Sequence, residues 1–183
     1  MKRFLLIAGI LALIIVGLLA FFRFYYTKKF SPEENVNFTS GDLTVNVFYN
    51  SPGKKGRIIF APDGLVPFGK VWRTGANEPT TFETSQDLLI NGQKLKKGKY
   101  SVWTIPNEQT WTIIFNTNIP SWGVKFDGPS RQPETDALSV DVPVVIQEKE
   151  FENFTINVEK TGEGFELILI WDKTLVAVPF TTQ

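Results

Sequence analysis

LLINGQKLKKGKYSVWTIPNEQTWTIIFN, residues 88–116, decides the fold class. Asn91-Gly92 stands between two short runs and predicts a type I′ hairpin turn, whose two central residues both need positive φ. Pro106 to Gln109 predicts a second hairpin, with Trp103 and Trp111 on its arms. Upstream, Leu43, Val45, Val47 and Tyr49 alternate with Thr44, Asn46 and Phe48, the period of a half-buried strand. Arg57 to Phe60, Thr80 to Thr84, Leu88 to Ile90, Ala137 to Val142, Phe154 to Glu159, Phe165 to Trp171 and Leu175 to Phe180 read as further strands, with Asp172 to Thr174 as a third hairpin turn. No amphipathic helix of useful length lies between them. About ten short strands separated by Gly, Pro and Asn predict an all-β domain, an antiparallel β-sandwich or flattened barrel. Its expected core is Val45, Val47, Val102, Ile113, Phe115, Ile156, Val158, Leu167 and Leu169.

The N-terminus has a different character. Phe4 to Phe22 is nineteen residues without a charge, fourteen of them Leu, Ile, Val or Phe. At ~1.5 Å per residue such a helix spans ~28 Å, enough to cross a bilayer as a single transmembrane anchor. Phe21, Phe22, Phe24, Tyr25 and Tyr26 form an aromatic belt behind it, with Arg23, Lys28 and Lys29 placed to reach head groups. A cleaved signal peptide would share Lys2, Arg3 and the apolar run, but bulky or charged residues follow Ala20 where a small-x-small cleavage site is needed. Ala8 and Ala12 make a small-xxx-small pair of low specificity. The expected organisation is an anchor over residues 1–26, a polar tether over 27–36 and a β-rich domain over 37–183. The N-terminus is expected to be cytoplasmic and the domain extracytoplasmic, either periplasmic or at the cell surface.

Composition limits the chemistry. Lys and Arg together number 19, as do Asp and Glu, so no overall field draws nucleic acid. The chain has neither Cys nor His. That removes disulfides, thiol and imidazole catalysis and nearly all metal and cofactor ligand sets, so no metal or cofactor is expected.

Glycine and polar residues concentrate in GLVPFGKVWRTGANEPTT, residues 64–81. With YNSPGKKGRIIF before it, GKYSVWTIP and WTIIFN in the middle, Trp122-Gly123, and the closing LILIWDKTLVAVPF, this loop resembles a bacterial domain-of-unknown-function family, the one numbered twenty-nine eleven. The resemblance covers roughly Leu43 to Phe180, and its most specific part is GKVWRTGAN. It implies an exported or envelope-associated protein and supplies no activity. Ser51 stands where the family pattern has an Arg, Phe68 where it has a Tyr, and Gly128 to Thr135 departs from the usual loop after Trp-Gly.

The candidate ligand-binding residues are Lys70, Trp72, Arg73, Asn77, Glu78 and Trp122. Arg73 offers a planar fork of donors for a carboxylate or phosphate, Asn77 both donates and accepts, and Glu78 is a partner or a general base. The competing structural reading pairs Arg73 with Glu78 to lock the loop, with Gly75 and Asn77 at positive φ. TGAN is no phosphate loop, since it lacks the GK[ST] ending and a following helix. Trp72 and Trp122 flank loops and are candidates for stacking a sugar, whereas Trp103, Trp111 and Trp171 belong to apolar strands. Two functions fit: a membrane-held module that binds an envelope protein, a glycan or a small molecule, and a hydrolase using Arg73 with carboxylates such as Asp63, Glu78, Glu83 and Asp127. The lack of His and Cys favours the first.

Overall fold

The period-two alternation found in the sequence becomes a run of antiparallel strands in the computed structural model, which describes residues 1–162 and 164–183. One apolar helix, α1 (Lys2–Phe30), comes first, long and apolar enough to cross a membrane, with its apolar window wholly unburied. Its segment Phe22–Tyr26 is a π-helical turn. The strands are β1 (Glu33–Ser40), β2 (Leu43–Asn50), β3 (Phe60–Ala61), β4 (Val66–Pro67), β5 (Thr80–Thr84), β6 (Leu88–Ile90), β7 (Gln93–Leu95), β8 (Gly98–Ile105), β9 (Thr110–Asn116), β10 (Val124–Lys125), β11 (Gly128–Pro129), β12 (Asp136–Lys160) and β13 (Phe165–Thr182).

Nine of these form one antiparallel sheet among the described residues, in the order β1-β2-β5-β8-β9-β12-β13-β6-β7. The sheet folds over on itself because β12 serves both halves: Asp136 to Pro143 pairs with β9, and Val144 onward pairs with β13. Aromatic contacts between strands distant in that order hold the two layers together. Tyr49 of β2 meets Phe154 of β12 at 5.8 Å, Phe38 of β1 meets Phe165 of β13 at 5.5 Å, and Phe82 of β5 meets Phe180 of β13 at 6.3 Å. The result is a sandwich-like β domain, not a closed barrel. All nine expected core residues are buried.

The Asn91-Gly92 turn has both residues at positive φ, 46° and 78°, and the turn at Pro106 joins β8 to β9 as expected. Three expectations are corrected, and one strand was not expected. Asp172 to Thr174 is no hairpin turn: β13 runs straight through it, with Asp172 at φ 55°. Opposite it on β12, Gln147 to Glu150 face the single Lys173, and Glu152 to Phe154 face the single Trp171. These bulges imitate a break in the sequence while bending one continuous strand. Arg57 to Phe60 contributes only its last residue to a strand, β3. Residues 27–36 are not a free tether, since Thr27 to Phe30 ends α1 and Glu33 begins β1. Strand β1 escaped notice because Glu33, Glu34, Asn35 and Asn37 face water at the sheet edge and leave only Val36 and Phe38 packed on the core.

Candidate functional site

The bulged part of β12 frees backbone groups that the neighbouring loop takes up. Lys54 N–H donates to the Glu152 carbonyl at 2.6 Å, Ser51 Oγ to the Phe154 carbonyl at 2.7 Å, and Phe154 N–H to the Pro52 carbonyl at 3.0 Å. Trp171 Nε1 also donates to Glu152, at 3.0 Å. The segment carrying Lys55 and Arg57 is thereby fixed at one end of the sandwich. Ser51, where the family pattern has Arg, is buried and spends its hydroxyl in this clasp.

Beside it runs the glycine-rich loop. Trp72 exchanges two backbone hydrogen bonds with Thr104, at 2.7 and 2.9 Å, which stitch the loop to β8. Its ring is buried against Phe60, Trp111, Phe154 and Trp171, and its Nε1 donates to the Gly75 carbonyl at 2.9 Å. Trp72 is therefore a core residue and not a sugar platform. Thr74, Gly75 and Asn77 take positive φ values of 57°, 145° and 56°. Gly75 cannot carry a side chain, because a Cβ there would stand 2.8 Å from the Asn50 carbonyl oxygen. Lys70 is exposed and lies outside the cluster the loop builds.

Beyond Gly75 the loop meets the end of α1. Glu78 receives Arg23 Nη1 at 3.0 Å, Lys28 Nζ at 2.5 Å and Asn50 Nδ2 at 3.1 Å. Asn50 Oδ1 in turn accepts from Lys28 Nζ at 3.3 Å and Asn77 Nδ2 at 3.2 Å. Arg23 also donates to the Ser121 carbonyl at 2.7 Å, and its guanidinium lies 3.9 Å from the centre of the Trp122 ring. Burial pushes the Glu78 carboxyl upward, but the bonds from Lys28 and Arg23 outweigh it and hold the group below the usual carboxylate range. In a straight α-helix, residues five apart point about 140° away from each other. The π turn with its wider i→i+5 spacing brings Arg23 and Lys28 to one face, so both reach Glu78. Glu78 is thus the centre of a latch between helix and domain. Arg23 and Lys28 are its ligands, not merely head-group cations.

The expected Arg73–Glu78 pair does not form. The Arg73 side chain makes no hydrogen bond or ion pair with any described residue, and its Nε is buried without an acceptor. Its stem lies on Gly123, where a Cβ would fall 2.1 Å from Arg73 Cδ, so the Trp122-Gly123 motif exists in part to admit this side chain. Burial alone lowers the pKa of its guanidinium. Arg73 lines a cleft of about 440 Å³ closed by Tyr26, Thr27 and Phe30 of α1, by Lys55 and Arg57, and by Trp72 and the backbone from Gly75 to Asn77. No carboxylate lines it among the described residues. Arg57 spends Nε and Nη2 on the carbonyls of Lys54 and Gly53, and Lys55 Nζ lies 4.5 Å from the Phe30 ring centre. Neither has an ion-pair partner among the described residues.

Of the six sequence candidates, the structure gathers Arg73, Asn77, Glu78 and Trp122 around the end of α1, buries Trp72 beneath them and leaves Lys70 outside. Sequence reasoning missed Asn50, Lys55, Arg57 and Gly123 as members of the site. YNSPGKKGR held the signal for three of them, a turn with three cations next to a conformationally demanding loop.

A fold of this kind, with an apolar helix leading into a sandwich-like β domain, defines a class by architecture alone. The chain belongs to the family described as "Protein of unknown function (DUF2911)", whose model matches residues 31–180. No curated protein and no solved structure gives a significant match.

Proposed function

We propose that this chain is a single-pass membrane protein whose β domain lies on the extracytoplasmic side and binds an anionic ligand in the cleft beside Arg73. The observation that carries the reading is the Arg73 guanidinium itself. It is half-buried and, among the described residues, has no acceptor and faces a cleft without a carboxylate. A buried charge without a partner costs stability, and a fold tolerates it where function uses it. The family's envelope character and the positive residues Lys2 and Arg3 support the orientation.

Binding is favoured over hydrolysis because no carboxylate lines the cleft among the described residues. Glu78 is spent on Arg23 and Lys28, Glu83 sits exposed on β5 3.9 Å from Lys99, and Asp63 and Asp127 are exposed outside it. Trp72 is buried and Trp122 has one face covered by Arg23, which leaves a glycan little to stack on.

The test is a thermal-shift screen of the whole chain in detergent against small carboxylates, sulfate and phosphates. At least one anion should raise the melting point of the wild type, since a ligand bound only to the folded state stabilises it. The shift should vanish in Arg73→Met. Protease added to intact spheroplasts should digest the domain; protection until lysis would reverse the orientation.

A further inference from the structure

We infer that the anion held beside Arg73 is a phosphate group, presented at the membrane surface on the headgroup of an anionic lipid. The inference rests on the anion-binding reading of the cleft and on α1 spanning the bilayer, and it adds the ligand's chemistry and source. Three cations, Arg73, Lys55 and Arg57, line one cleft with no carboxylate in its lining among the described residues, an excess that a single carboxylate would not neutralise. A phosphate presents several acceptor oxygens to several donors at once, and a guanidinium meets two of them with its fork.

Position supplies the source. The apolar run ends at Phe22, and Tyr26 and Phe30, which form one wall of the cleft, lie about 6 and 12 Å farther along the axis at ~1.5 Å per residue. A bilayer of about 40–45 Å around a ~30 Å hydrocarbon core leaves about 5–8 Å of headgroup on each side. The cleft therefore opens at phosphate depth. The latch keeps it there: with Arg23 and Lys28 both bound to Glu78, the domain cannot swing away from the helix that forms its wall. Tyr26 lies within that layer and Phe30 just above it, and with Leu65, 45 % exposed, they give the cleft apolar surface beside the headgroup.

The experiment uses the whole chain in dodecyl maltoside, a detergent without phosphate. Melting point and binding are followed on addition of short-chain phosphatidylglycerol, short-chain phosphatidylcholine, inorganic phosphate, or sodium chloride at equal ionic strength. Phosphatidylglycerol should raise the melting point, the zwitterionic lipid less so, and sodium chloride not at all. Arg73→Met should raise the Kd for phosphatidylglycerol at least about tenfold, and the double variant Lys55→Gln/Arg57→Gln about three- to tenfold, as expected for charge-assisted contacts of unequal burial. If Arg73→Met fails to fold, the double variant decides, because both its residues are exposed. Stabilisation by inorganic phosphate without phosphatidylglycerol would keep the phosphate site and overturn the lipid source. Arg73-dependent binding of carboxylates alone would overturn the phosphate inference while leaving an anion site, and no response to any anion would overturn both.

Discussion

Five residues apart on one loop, Glu78 and Arg73 live in opposite electrostatic worlds. Glu78 is surrounded by donors: two cations from α1 and the amide of Asn50, itself held by Asn77. Arg73 lines a cleft shared with Lys55, Arg57 and aromatic rings, and nothing described accepts its side-chain protons. The first region is a finished network, the second an unfinished one. Finished networks contribute stability, and a buried charge left without a counter-charge subtracts from it. The contrast supports a structural latch and the proposed binding role of the cleft, and substitutions on each side should differ in sign.

The largest effect is expected beneath both regions. Trp72 is the floor on which the loop rests, packed at 4.9 to 6.1 Å against four aromatic neighbours. Trp72→Ala should cost about 3–5 kcal/mol by chemical denaturation, as removal of a buried aromatic does. A cost under about 1 kcal/mol would return Trp72 to the ligand-binding residues.

Next is the latch. Glu78→Gln removes the acceptor of two cations that stay partly buried, and should cost about 1–3 kcal/mol. Its carboxyl titrates below the ordinary value of ~4.3, so the latch contributes fully above that pH and is lost as pH falls through the lower, folded value. The chain has no Cys, so spin labels at Leu19→Cys and Ile119→Cys report the helix–domain distance cleanly. A narrow distribution at pH 7 should broaden only once the pH falls below the ordinary carboxylate range, and Glu78→Gln should be broad throughout. A wild type already broad at pH 7 would break the comparison.

These two regions also differ in how far the sequence disclosed them. Strand pairing at β6–β7 and β8–β9 was legible because Asn91-Gly92 and Pro106 act locally and the alternation around them has a fixed period. The lengths of β12 and β13 were not, since the bulge at Gln147 to Glu150 and the positive-φ Asp172 beside it use the polar residues that turns use. In the site, Gly75 and Asn77 were legible as positive-φ positions. The partner of Glu78 was not, because Arg23 and Lys28 lie 55 and 50 residues away along the chain. Local spacing offered Arg73 instead, and nothing in the sequence announces that β2 and α1 reach Glu78 first.

A smaller effect tests the seat of Arg73. Gly123→Ala would put a methyl 2.1 Å from Arg73 Cδ and 2.9 Å from its Cβ, so the side chain must move. Overpacking of this kind costs about 1–3 kcal/mol, here toward the low end because a long side chain yields. Anion binding should fall with it. Retained binding in Gly123→Ala, measured by the same thermal shift, would mean that the guanidinium works from another position.

The smallest effect is the most telling. Arg73→Met keeps the apolar stem against Gly123 and removes a charge that burial already disfavours. No acceptor is orphaned by the change, because none was bound. In the absence of ligand the melting point should therefore stay within about 0.5 kcal/mol of wild type or rise, the pattern of a group kept for use and not for the fold. Its effect should also be independent of Glu78→Gln, since residues that share no partner add within about 0.3–0.5 kcal/mol. A loss of 3 kcal/mol or more, of the ~3–5 kcal/mol that breaking a buried pair entails, would mean that Arg73 has a structural partner. Latch and cleft would then be one network, and the distinction between them would fall.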